Sequence, residues 1–136
     1  MAKPETRFRL RVERNLPDTV YHLKIALAYN AGVADSWYSM HGGQDLWVEY
    51  KWIQKFPVRV PLDLTGGKNP LLSKLQQNWL FSRHAEGRNV AVVAGSVAGA
   101  LVFSGITWMK PLAPKNYELN NPKETAMWLI EKMEAR

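Results

Sequence analysis

Two runs rich in β-branched and aromatic residues, Val33 to Ser39 and Leu46 to Ile53, flank the tetrapeptide His41-Gly42-Gly43-Gln44. Such runs suit a pleated, half-buried backbone, and the glycines permit the positive φ of a tight connection, so residues 33–53 are predicted to form a β-hairpin. The hairpin constrains the chain strongly, because side chains on a strand alternate between two faces. Trp47, Glu49 and Lys51 share one face, and Leu46, Val48, Tyr50 and Trp52 share the other. In the simplest register Asp35, on the partner strand, can reach Glu49. Two carboxylates and an ammonium then meet on one strand pair. Like charges that close repel and raise a pKa, unless a hard divalent cation that prefers oxygen ligands sits between them. A solvated strand face of mixed charge is the plainer account of Glu49 and Lys51 taken alone.

Asp35 followed on the next strand by Glu49-Tyr50-Lys51 resembles the Asp…(Asp/Glu)-x-Lys signature of the PD-(D/E)xK nuclease superfamily. Ala34 stands where the family often has proline, a residue that shapes the turn and binds nothing. The wider pattern, Gly32-Val33-Ala34-Asp35-Ser36-Trp37-Tyr38-Ser39 with Asp45-Leu46-Trp47-Val48-Glu49-Tyr50-Lys51, is similar to small phage nucleases near the virus-type replication-repair nuclease and Holliday-junction resolvase branches. Leu72-Ser73-Lys74-Leu75-Gln76 resembles the Leu-Ser-x-x-Gln that opens the family's second helix.

The resemblance implies an α/β fold, a mixed central sheet of about four to five strands flanked by helices in a restriction-endonuclease-like αβββαβ core. It implies a DNA endonuclease dependent on magnesium or manganese, junction-resolving or nicking, active in phage DNA metabolism and leaving a 5′-phosphate. It implies Asp35, Glu49, the Tyr50 carbonyl and Glu5 as metal donors, with Lys51 positioning the attacking water or neutralising charge on the phosphate, and Gln76 supporting the site. Glu13 competes with Glu5 for the place of the helix glutamate. Since enzymes that cut both strands often pair symmetrically, a homodimer is expected, as is a cytoplasmic location, in the host if the source is viral.

The rest of the chain is compatible with this. Its 136 residues, 46% of them hydrophobic, make one domain with room for a real core, spanning residues 1–136. Six tryptophans and five tyrosines argue for packing rather than disorder. With no cysteine, disulfides and zinc–cysteine sites are excluded, so any metal must use oxygen or histidine. A formal charge of +6 favours a polyanionic partner such as DNA. The N-terminal segment is basic and lacks the apolar core of a signal peptide.

Residues 3–16 allow a strand, through the alternation of Phe8, Leu10 and Val12, or a helix, through Glu5, Phe8, Val12 and Leu16 with Pro4 in its first turn. Val20 to Ile25 is predicted as the first strand, with Tyr21, Leu23 and Ile25 toward the core and His22 and Lys24 toward the site. Ala26 to Ala31 connects it to the hairpin. Prolines and glycines at about 54–70 predict an irregular, mobile loop, where Lys55, Arg59 and Lys68 are candidate phosphate contacts beside Lys24. Ser73 caps a helix to about Glu86, with Leu75, Trp79 and Leu80 as its apolar face and Arg83, His84 and Arg88 as a basic end that also suits DNA. The uncharged run Val90 to Trp108 invites a transmembrane reading, but its glycines and serines fit better two short buried strands, Val90 to Val93 and Leu101 to Phe103, and no membrane insertion is expected. Asn121-Pro122-Lys123-Glu124 opens a helix to about residue 135, whose stripe of Ala126, Leu129, Ile130 and Met133 packs on the domain or forms a dimer face. Two other readings stay open: a non-catalytic basic DNA-binding module of the same fold, and a small membrane protein.

Overall fold

The computed structural model describes residues 2–25 and 32–134; the predicted connection at 26–31 and the last residues of the predicted C-terminal helix lie outside them. Ten residues, Pro4–Glu13, form helix α1, which decides between the two patterns of the N-terminal segment. Proline needs no donor at a helix start, and Phe8 and Val12, four apart, bury one stripe while Leu10 stays outside.

Five strands follow in one sheet of order β1-β2-β3-β4-β5. They are β1 (Val20–Lys24), β2 (Ser36–Met40), β3 (Asp45–Trp52), β4 (Val90–Ser96) and β5 (Gly99–Ser104). All neighbours are antiparallel except β3 and β4, which run parallel. Parallel strands need a long crossover. Here it is the irregular segment after β3 and helix α2 (Lys74–Ala85). Ser73 and Gln76 form a reciprocal capping box at the start of α2, and Asn121 and Glu124 do the same for helix α3 (Pro122–Met133).

The sheet carries a core on each face. On one side α1 and α3 cover Tyr38, Leu46, Val48, Tyr50, Ala91 and Val93. On the other, α2 and the irregular segment cover Val90, Val92, Ala94, Leu101 and Phe103. Every residue of β4 is buried, so its uncharged run is what a strand covered on both faces requires. No helix among the described residues is long and apolar enough to cross a membrane.

Several expectations are corrected here. Tyr21 and Leu23 are 67% and 56% exposed, because β1 is an edge strand and its core-facing residue is Val20, on the α1 side. His22 turns with Val20 toward α1, 3.6 Å from Glu13, and not toward Asp35 and Glu49. Leu75 is 52% exposed, so Leu80 and Trp79 alone of the three carry the packing of α2. The segment after β3 is irregular as expected, yet Phe56, Leu62, Leu64 and Leu72 are buried in the second core. The apolar stripe of α3 packs inside the chain, with Ala126, Leu129 and Met133 fully covered.

Candidate active site

Alternation along β3 puts Glu49 and Lys51 on the α2 side of the sheet. The register Ser36↔Val48 and Trp37↔Trp47 carries on to set Asp35, one residue before β2, opposite Glu49. The hairpin thereby makes the predicted juxtaposition. Glu49 is 4% exposed, so the solvated strand face that the mixed charge alone suggests does not form at this residue. The cover comes from α2: Gln76 lies in its first turn and its Nε2 donates to Glu49 Oε2 at 2.9 Å. The same side chain accepts the Ser73 N–H at Oε1, so the helix cap and the carboxylate hold one amide from both ends. Lys51 Nζ stands 3.5 Å from Glu49 Oε2. Glu49 Oε1 is buried with no partner among the described residues.

An unpaired buried carboxylate oxygen is costly, and the electrostatics register it. Burial, then the charge of Asp35, pushes the Glu49 carboxyl up to about 8, against a pull downward from Lys51. Asp35 is also raised, by burial, and partly relieved by Lys24, the Ser36 hydroxyl and the Tyr50 N–H. Ser36 Oγ donates to Asp35 Oδ1 at 3.2 Å, and Lys24 Nζ lies 3.7 Å from Oδ2.

Tyr50 presents its backbone to the same spot. Trp47 and Ile53 donate their N–H groups to Asn89 and Gly95 beside β4, so the odd residues of β3 point that way and Tyr50 points its N–H and C=O toward β2 and Asp35. Between the two helix glutamates the structure separates the alternatives. The Glu5 carboxyl is raised by burial and by the charge of Asp35, and lowered by Lys51 and Lys24, so it lies in the field of the site. Glu13 sits two turns away, accepting from Arg9 at 2.9 Å and from the Tyr38 hydroxyl at 2.8 Å.

The donors fit a hard divalent cation in kind: carboxylate oxygens, a backbone carbonyl, and one buried oxygen, Glu49 Oε1, that has no partner among the described residues. Among the described residues no three His, Asp or Glu side chains close around a point, so the carbonyl and water have to complete any such shell.

Two features escaped the sequence reading. Tyr38 and Tyr50 share a 2.8 Å hydroxyl contact, and with Glu13 they make a polar chain beneath the site, linking α1 to β2 and β3. Gly32, at φ +80°, packs so close to the Leu75 carbonyl that a Cβ there would collide with it. The glycine before the hairpin was the available signal. Of the six candidate DNA-contacting residues only Lys24 is brought to the carboxylates. Lys55, Arg59 and Lys68 are exposed on the segment after β3. Arg83 pairs with Glu86 at 3.1 Å and stacks on Trp79, and with Arg88 it lies at the far end of α2 from Gln76.

No protein-family model matches the chain, and no curated protein matches it in sequence. Among solved structures it is similar to Hjc of Archaeoglobus fulgidus, a Holliday junction resolvase from an archaeal hyperthermophile. The TM-score is 0.57 at 13% identity, covering 91% of this chain and 96% of that one. The likeness spans nearly the whole of both chains, so the mixed five-stranded sheet and its flanking helices make the fold of this archaeal Holliday junction resolvase.

Proposed function

We propose that this protein is a divalent-metal-dependent DNA endonuclease, selective for branched or nicked DNA, that hydrolyses a phosphodiester bond at the Asp35–Glu49–Lys51 edge. The observation that carries the reading is the pair of carboxylates from adjacent strands, one with an unpartnered buried oxygen, beside a lysine and braced by Gln76. The resolvase-like fold supports a substrate of structured DNA.

Asp35, Glu49 and the Tyr50 carbonyl would hold magnesium or manganese, with Glu5 reached directly or through water. When bound, the cation supplies Lewis acidity at the phosphate and lowers the pKa of water there. Gln76 fixes the Glu49 carboxylate through Oε2 and leaves Oε1 free to accept the ligand. Burial and the charge of Asp35, which push this carboxyl up to about 8, are what a bound cation would offset. Lys51, its side chain 18% exposed, has one side on Glu49 and the other open to a phosphate. Its ammonium orients the attacking water and offsets the negative charge that builds on the phosphoryl oxygens. Water adds to phosphorus, the bond to the 3′ oxygen breaks, and a 5′-phosphate and a 3′-hydroxyl result.

The test is cleavage of a four-way junction, nicked plasmid, linear duplex and single strand with magnesium, manganese or EDTA, beside Lys51→Ala. Expected is metal-dependent cutting that falls at least about a hundredfold in the variant while its fold is kept. Cutting that survives the change, or that ignores EDTA, overturns the assignment; binding without cutting leaves a DNA-binding module of this fold.

A further inference from the structure

Helix α1 and its C-cap carry Arg7, Arg11 and Arg14 at spacings of four and three, on the side turned away from Arg9 and Glu13. All three are exposed, and with Lys123 at the start of α3 they border two adjoining hollows that share Arg11, Asn121 and Pro122 and together make a groove. Its first part has a volume of about 390 Å³, between α1, the β4–β5 turn and the first residues of α3, and the aromatic rings of Phe8 and Trp52 lie along it. No carboxylate lines either part, and none of the four cations forms an ion pair among the described residues. Cationic side chains kept apart from acids on a shared wall leave their charge available to a polyanion.

The groove adjoins the candidate active site along the chain. Pro4 and Trp52 line it, and their chain neighbours Glu5 and Lys51 belong to the site. Lys51 and Trp52 point to opposite faces of the sheet, so a strand that passes over the end of β3 leaves the carboxylates on the α2 side and enters the groove on the α1 side. From Arg7 to Arg14 the helix rises about 10 Å at 1.5 Å per residue, the axial length of roughly three phosphates of one DNA strand.

We propose that this groove is a second DNA-binding track, in which Arg7, Arg11, Arg14 and Lys123 hold the phosphate backbone of the strand that continues past the cut. The inference rests on the nuclease reading above and adds to it the path of the DNA around the sheet. None of the six DNA-contacting residues expected from the sequence lies in this groove.

The test is binding of a fluorescently labelled four-way DNA junction in EDTA across a salt series, for the wild type, for Arg7→Gln/Arg11→Gln/Arg14→Gln, and for Lys110→Gln/Lys115→Gln as a control on an exposed stretch after β5. Each lost phosphate contact lowers the salt slope of log K by about 0.9, so the triple variant loses about two to three in slope and roughly 10- to 100-fold in affinity. The control keeps the wild-type slope. A triple variant with the wild-type slope, or a control that loses as much, overturns the groove; if the wild type still cuts in a Lys51-dependent way, the nuclease reading stands. A wild type that neither binds nor cuts DNA refutes both.

Discussion

Replacing Glu49 with glutamine removes a charge that the fold has to desolvate. The carboxyl rises from an ordinary 4.5 to about 8 on folding. A raised folded-state pKa contributes stability that is fully present below the unfolded value and is lost as pH climbs through the folded one. The window is therefore pH 4.5 to 8, and stability falls across it. At ~1.4 kcal/mol per pKa unit the full loss is about 5 kcal/mol, and the part reached by pH 7 is about 3 kcal/mol. Glutamine does not titrate, keeps the shape, and can still accept from Gln76 while setting its own amide where Oε1 now lies alone. The variant is thus expected to gain about 2–3 kcal/mol on wild type between pH 4.5 and pH 7 without metal. Urea unfolding in EDTA, followed by tryptophan fluorescence at a series of pH values, measures it. A difference that does not change with pH refutes the burial argument. Adding magnesium supplies a second arm: a ligand that binds only the folded state stabilises it by mass action, so wild type gains and Glu49→Gln gains far less. Equal gains would remove Glu49 from the metal-holding set.

Two further substitutions probe the frame around the site. Gly32→Ala forces a side chain onto a backbone at φ +80° and into the Leu75 carbonyl. The left-handed conformation alone costs about 1–2 kcal/mol, so a loss of at least ~2 kcal/mol in chemical denaturation is expected, and a loss below about 0.5 kcal/mol would show that this contact does not constrain the start of α2. Tyr38→Phe leaves Tyr50 and Glu13 each short of a partner in a buried chain. About 1–3 kcal/mol of destabilisation is expected by the same measurement, and a neutral result would mean that the hydroxyl is not needed there.

What the sequence by itself determined is the set of short-range features. The hairpin, its register, the sharing of one face by Glu49 and Lys51, the Ser73 and Asn121 caps and the buried β4–β5 pair all follow from alternation and turn chemistry within a few residues of each other. For the same reason the resemblance to a nuclease motif was legible: its acidic residues and lysine sit on one hairpin. Patterns of that range left the N-terminal segment open between strand and helix. Packing of Phe8 and Val12 against the sheet and α3 decided it.

The tertiary structure alone decided which layer covers which face. Glu49 looks like an exposed strand residue until α2 is laid over it and Gln76, 27 residues on, takes its carboxylate. Tyr21 and Leu23 look like core until β1 is found at the edge, beyond the reach of α2. Glu5 and Glu13 are alike in sequence, and only the packing of α1 sends one toward Asp35 and the other to Tyr38. Each of these depends on contacts between segments far apart in the chain, and desolvation, which sets both the burial of an apolar side chain and the pKa of a carboxyl, is a property of those contacts rather than of any local run of residues.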